Sequence, residues 1–367
     1  MSKMLEEKLK GEEQTLERVG FVFEEKQRAG SFLLVDDQET VSNYSDGVTY
    51  YSTHRAVEKI KGLKEKLWSL VNPEKDEYTR KAYEAPLKGY FIHVQKDKKV
   101  EKPIQACFFI ATSRLVQSVH NIIVIEDGAE LHVINGCATA SYVNMGMHIG
   151  ITEIFVGKGA FLSYTMIHDW SEQVEVRPRT AVFVDEGGKF VSNYITIRKS
   201  KITQSYPEAF VMKNGAAQFT SLVFAPENSI YDLGARIHLN GENASGEIIS
   251  RVISGGGKVY SKGHLIGNKK GIKAHMSCDG LLLSEKGSII AIPELEANYP
   301  DVNMSHEAAV GKIAEEEIEY LMSRGFSPEE AKSLIIKGFL DPKILGLPPA
   351  LEQEVEKTIN MIGEGAL

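Results

Sequence analysis

Ile122-Ile-Val-Ile-Glu-Asp-Gly-Ala-Glu-Leu131 is a short apolar run closed by a Gly turn, and the chain repeats it. Its echoes are Glu153-Ile-Phe-Val-Gly-Lys-Gly-Ala-Phe-Leu162, Ala181-Val-Phe-Val-Asp-Glu-Gly-Gly-Lys-Phe190 and Ala209-Phe-Val-Met-Lys-Asn-Gly-Ala-Ala-Gln218. Aligned on Gly128, Gly159, Gly188 and Gly215, they advance in steps of 31, 29 and 27 residues. The pattern resumes at Gly255-Gly256-Gly257 and at Leu281-Leu-Leu-Ser-Glu-Lys-Gly-Ser-Ile-Ile290, so about seven units fit the span. Apolar runs of strand length bounded by turn residues read as strands. Helical patterns are nearly absent here, so the crossover helices of a doubly wound parallel sheet have no place. Strands stacked coil upon coil satisfy both facts: the expected core is a right-handed parallel β-helix, with Val, Ile and Phe stacked inside and Gly supplying the positive φ of each tight corner. A β-sandwich is the plainer alternative.

Working outward, the chain divides at 103/104 and 302/303, giving an N-terminal mixed α/β region (1–103), the β-helix (104–302) and a C-terminal helical region (303–367). In the first, Leu5, Leu9, Leu16 and Val19 recur at helical spacing, Phe32-Leu33-Leu34-Val35 reads as a strand, and Val57, Ile60, Leu63, Leu67 and Leu70 predict a helix over about 56–70 that ends before Asn72-Pro73. In the last, a helix is expected over 315–324, carrying Ile318, Leu321 and Met322 and stopping at Gly325. Ser327-Pro328-Glu329-Glu330 then combines an N-cap, a Pro at the first helical position and a capping-box Glu. Ala331, Leu334 and Ile335 form that helix's expected apolar face, and a final helix is predicted over about 349–362. A solenoid end exposes unpaired strand edges, which helices can cap.

Composition narrows the function. The 367 residues are 43% hydrophobic and 25% charged with a formal net charge of −8, which disfavours a general nucleic-acid or anionic-membrane surface. No apolar run is long enough to span a bilayer and the opening residues lack a secretory apolar region, so the expected location is the cytoplasm. Three widely separated cysteines, Cys107, Cys137 and Cys278, do not form a disulfide framework and are read as thiols. No phosphate-binding Gly-x-x-x-x-Gly-Lys-Ser/Thr loop occurs, so ATP hydrolysis is not expected of this chain; a Gly-x-Ser-x-Gly elbow and a paired-His zinc helix are also missing.

Three segments carry candidate chemistry, each with an ordinary structural reading beside it. His275-Met-Ser-Cys278-Asp279 sets an imidazole three residues before a thiol, but on a strand these face opposite sides, and a buried Cys is most often packing. Asn303-Met-Ser-His306-Glu307-Ala308 joins a His to a carboxylate where solenoid meets helices; on spacing alone it reads as a helix start capped by Ser305. Asn135-Gly136-Cys137-Ala138 puts a thiol at a Gly in the repeat, with His148 nearby and His168-Asp169-Trp170 one coil on. Thiolate, imidazole and carboxylate suit iron, and sulfur favours cluster chemistry. One chain has too few thiols for a closed four-cysteine cluster, which fits a labile or intersubunit site.

The stretch from His275 to Phe339 resembles the C-terminal core of the SufB/SufD family of iron–sulfur cluster assembly proteins. The resemblance runs through Cys278-Asp279-x-Leu-Leu, Ile292-Pro293-x-Leu295-Glu296, His306-Glu307-Ala308, Gly311-Lys312-Ile313, Ser323-Arg324-Gly325 and Ala331-x-x-Leu334-Ile335-x-x-Gly338-Phe339, with a weaker likeness back to Ile122 through Gly136-Cys137 and Asp169-Trp170. The His-Glu-Ala triplet is similar to the SufB branch. The resemblance implies a non-catalytic scaffold for a labile iron–sulfur cluster, with Cys278, Glu307 and His306 as cluster ligands at a subunit interface. It also implies sulfur transfer from Cys137, with His168 and Trp170 beside it. Implied partners are a SufC-type ABC ATPase bound through the C-terminal helices, a second copy or a SufD-like subunit, a sulfur donor and apoprotein acceptors. A flavin is compatible with such a system but unsupported by any residue pattern here. Two departures stand out: Ala138-Thr139-Ala140 replaces the family's usual Ser/Thr-Ala-Pro, and His168 stands where Gln is common. The competing classes are a β-helix carbohydrate-active enzyme, which needs clustered carboxylates and an aromatic groove, and a purely structural interaction protein.

Overall fold

Each strand of the repeat pairs with the strand one coil on, not with its neighbour in sequence, and the pairing is parallel. The computed structural model describes residues 7–23, 27–43, 45–196, 198–340 and Glu356; the expected helix at 349–362 lies outside the described residues. Two ten-stranded sheets face one another. One sheet stacks the parallel strands Ile104–Ile110, Glu130–Thr139, Phe161–Asp169, Lys189–Thr196, Ala216–Pro226, Ser245–Gly255, Ile272–Leu282 and Val302–Lys312. The other stacks Val116–Ile125, Met145–Val156, Gln173–Val184, the broken strand Ile202–Ser205/Glu208–Val211, Ile230–Leu239, Lys258–Gly267 and Ser288–Ala297. This is the expected β-helix, a solenoid in which each connection between parallel strands is itself a strand of the opposite sheet.

The repeat turns explain the period. The residues with positive φ are Gly128, Gly159, Gly187, Asn214, Asn243 and Gly271. Each donates its backbone N–H to the turn of the next coil, from Gly128 to the Lys158 carbonyl (2.8 Å) through to Gly271 and the Asp301 carbonyl (2.7 Å). Alignment on Gly188 and Gly215 was therefore one residue late: the left-handed position is Gly187 in one turn and Asn214 in the next. Asn tolerates that region because its short amide can bond locally.

Both sheets run past the division at 103, and one of them past 302. Gly30–Val35 pairs in parallel with Ile104–Ile110, and Tyr90–Val94 with Val116–Ile125. At the far end Val302–Lys312 pairs in parallel with Ile272–Leu282, so Ser305-His306-Glu307 is strand and not the start of a helix. The expected helix over 56–70 is also corrected: Thr53–Lys59 is helical, Gly62 (φ +81°) breaks it, and a single 3-10 turn covers Leu63–Glu65. What holds the 68–71 segment is not helix but the buried Glu153 carboxylate. It accepts the backbone N–H of Trp68 (2.6 Å), Leu70 (2.6 Å) and Val71 (3.1 Å) and pairs with His120 Nε2 (2.7 Å).

The helices Glu315–Ser323 and Pro328–Phe339 form as expected, the second with its full capping box: Glu330 N–H donates to Ser327 Oγ (3.2 Å) and Ser327 N–H to Glu330 Oε2 (2.7 Å). Of its expected apolar face, Ala331 is buried and Ile335 packs against the core, whereas Leu334 is exposed and Ile336, with Leu340 just beyond the helix, is buried instead.

Candidate functional site

Alternation along Glu130–Thr139 sends Asn135 and Cys137 into the solenoid and Gly136 outward. Gly136 is required there: a Cβ would lie 2.6 Å from the Val19 carbonyl oxygen, just beyond the short helix Glu13–Arg18 that covers this face. Arg18 fastens that helix by pairing with the buried Asp169 (2.8 Å), which Arg198 also contacts (2.8 Å). Burial raises the Asp169 carboxyl against the pull of Arg18. The Cys137 thiol is fully buried. It accepts from Asn135 Nδ2 at 3.3 Å, while Asn135 Oδ1 accepts from the Tyr90 hydroxyl at 3.2 Å, and the Tyr90 and Tyr164 hydroxyls lie 3.3 Å apart.

His168 sits beside Cys137 in the next coil at the same register. Its Nδ1 shares a 3.0 Å hydrogen bond with the Tyr194 hydroxyl, and its ring meets those of Tyr194 and Trp170 edge-on at 5.0 and 5.7 Å. Burial holds His168 well below the ordinary imidazole range, with His148 adding to the effect, and burial brings His148 itself down to about 3. Both rings are neutral at physiological pH. Burial also pushes the Cys137 thiol up, and Cys107 adds to that shift.

The second thiol lies in the last coil but one. On Ile272–Leu282, Met276 and Cys278 point inward and His275 outward, where its Nδ1 bonds Ser305 Oγ at 2.9 Å. Cys278 Sγ is 2.9 Å from Ser261 Oγ, which donates to Ser250 Oγ at 2.9 Å; Ser221 donates to the same oxygen at 3.2 Å. Burial raises this thiol too, and the two serines partly offset the shift. In the final strand Ala308 is the register partner of Cys278, and Glu307 that of Ser277. Glu307 is thus one strand away but on the outward side, while His306 shares the inward side. Both are exposed, and among the described residues no further coil covers them. Among the described residues, no three His, Cys, Asp or Glu side chains converge to hold a metal ion.

A cavity of about 60 Å³ lies between the surroundings of the two thiols, neither of which lines it: Tyr164 and Tyr194 stand toward Cys137 and Ser221, Ser250 and Ser261 toward Cys278. A cavity of this size holds a few water molecules. Its hydroxyls offer donors and acceptors, and Lys262 is the charged residue in the lining. Asn135 stands in the sequence only as a neighbour of the Gly136-Cys137 pair, and Ser250 and Ser261 carry no motif, yet the coil period holds a signal for Ser250: Ser221, Ser250 and Cys278 occupy one register column. Cys107 is also free and fully buried, and burial alone raises its thiol.

The family described as "SUF system FeS cluster assembly, SufBD core domain" matches residues 108–339. The chain is similar to a protein of Archaeoglobus fulgidus named as an iron–sulfur cluster assembly SufBD family protein, with 48% identity over 351 residues, 95% of each chain. A protein of the same description from Methanothermobacter thermautotrophicus is 41% identical over 360 residues, 96% of this chain and 88% of that one. One from Staphylococcus aureus is 33% identical over 328 residues, 88% of this chain and 70% of its own.

Proposed function

Because the chain belongs to the SufBD family of iron–sulfur cluster assembly proteins, we propose that it is the SufB-like scaffold of a SUF complex, building a labile cluster at the open end of its solenoid. The observation that supports this reading is the cavity itself, which meets the surroundings of one buried thiol at each end. Sulfur received at Cys137, beside His168 and Trp170, passes through the solenoid to Cys278. The cluster is cargo, assembled there with His306 and Glu307.

One chain supplies too few converging ligands, so the site is completed by a second copy or a SufD-like subunit across the final strands. An isologous contact doubles each ligand. Glu307, facing outward in its own chain, then serves the assembled pair and not the Cys278 of its own interior. A SufC-type ATPase docks on the C-terminal helices, whose exposed Tyr320, Met322, Phe326 and Leu334 form an apolar surface that such a partner would cover. ATP-driven closure of two ATPases shears the contact and opens the site. The chain itself is not assigned an enzymatic reaction.

The test is anaerobic co-expression with the ATPase, followed by iron and sulfide analysis. Cys278→Ser and Glu307→Ala are expected to abolish cluster formation while keeping ATPase binding, and Cys137→Ser to abolish assembly from a sulfur donor but not from free sulfide. Normal assembly by Cys278→Ser sinks the site assignment.

A further inference from the structure

Cys137 is buried without a cation beside it. Its titratable neighbours are Cys107, Tyr90, Tyr164 and Tyr194, each pushed up by burial, and His168 in the next coil, pushed down by burial, so that all are neutral. A thiolate or persulfide anion at this position needs a donor, because an unpaired charge in a low-dielectric interior is strongly disfavoured. Among the described residues the Asn135 carboxamide supplies the one hydrogen bond to Sγ. Its orientation is fixed from behind: Oδ1 accepts from the Tyr90 hydroxyl, so Nδ2 is the end turned to sulfur. Tyr90 is in turn placed by Tyr164, which lines the cavity.

We propose that Asn135, oriented by Tyr90, is a positioning residue that holds the sulfur anion of Cys137 during persulfide transfer and aims it toward the Tyr164 end of the cavity. This rests on the reading of Cys137 as the sulfur acceptor. The step it serves is balanced without an external oxidant. The Cys137 sulfur attacks the terminal sulfur of a donor persulfide R–S–SH, the new S–S bond forms as the donor's S–S bond breaks, and the donor leaves as the thiol R–SH, taking the proton that Cys137 loses. The Asn135 N–H stabilises the attacking thiolate and then the bound persulfide. A neutral amide does so without the ion pair that would trap the sulfur in place.

The experiment uses the full chain with Cys107 and Cys278 replaced by Ser, leaving Cys137 as the single thiol. It measures loading from a low-molecular-weight alkyl persulfide, read as cyanide-labile sulfur, and the pH profile of Cys137 alkylation. Asn135→Asp, close to isosteric but with an oxygen anion facing sulfur, is expected to slow loading about tenfold or more and shift alkylation to higher pH. Tyr90→Phe, which frees the amide to turn, is expected to give a smaller loss in the same direction. Asn135→Ala provides the same test if the Asp variant does not fold, as judged by its thermal midpoint. Wild-type loading and an unmoved pH profile in folded Asn135 variants overturn the proposal. Failure of the underlying reading looks different: loading of Cys137 remains sensitive to Asn135, but Cys137→Ser in the otherwise native chain assembles cluster from a persulfide donor as well as wild type does.

Discussion

His148 and His168 show how the fold sets chemistry at single residues. Each imidazole lies between the sheets, and His148 Nδ1 is held 3.0 Å from Gln117 Oε1. Its pKa near 3 lies below the unfolded value of 6.5, so the unfolded chain binds more protons than the folded one at acid pH. This group therefore leaves stability untouched above about pH 6.5 and removes it as pH falls below that value. At about pH 5 the loss from His148 alone is roughly 2 kcal/mol. Urea unfolding at about pH 5 and pH 7.5 is expected to show that loss in wild type and to lack that share of it in His148→Gln; equal pH dependence in both disproves the assignment. The thiols were visible in the sequence as candidates, but their facing was less so. Cys137 and Cys278 turn inward because of strand phase, and their hydrogen-bond partners, Asn135 and Ser261, are polar residues inside a core that a hydrophobicity pattern passes over.

At the scale of elements, turns were the most readable feature, because a left-handed corner favours Gly, Asn or Asp whatever surrounds it. Their variants separate backbone strain from crowding. Gly159 (φ +62°) has open space where a Cβ would go, so Gly159→Ala is expected to cost about 1 kcal/mol from backbone strain alone. Gly128→Ala costs more, since its Cβ also runs into the Asp97 carboxylate, while Asn214→Gly changes stability little; chemical denaturation checks the order. Less readable was the last strand. His306-Glu307-Ala308-Ala309 lacks the apolar alternation of a strand because no coil covers its inner face, so the pattern that marks the other strands is missing for a physical reason. The 68–71 segment was misread for the opposite reason: its apolar residues suit a helix, but Gly62 and three N–H groups captured by Glu153 impose another path. Glu153→Gln removes the charge from that buried acceptor and is expected to cost roughly 2–3 kcal/mol. Faster proteolysis within 60–86 than elsewhere in the chain is the accompanying sign, and uniform cleavage counts against the anchor.

For the molecule as a whole, the decisive feature is that the solenoid stops without closing. Among the described residues the strands Val302–Lys312 and Ser288–Ala297 are the last in their sheets and have no further strand beyond them, and such an edge is a template that another chain can extend. The helix pair covers part of the outer face, where Arg251 stacks on Phe339, but His306, Ala308 and Val310 stay exposed on the open inner side. No single sequence states what meets that edge; its periodicity announces coils and says nothing about the surface where coils run out. If a second copy pairs there, a charge on the inner side of the final strand blocks close approach without touching the completed coils. Ala308→Lys and Val310→Lys are therefore expected to keep the thermal midpoint within a few degrees of wild type, since neither packs in the core. They should weaken self-association by about tenfold or more in sedimentation equilibrium, one buried unpaired charge costing at least that much. Cluster yield should fall in step with the dimer fraction, because ligands from two chains are needed at once. A variant that stays dimeric and builds cluster normally moves the subunit contact away from this edge, and with it the explanation for why one chain holds so few ligands.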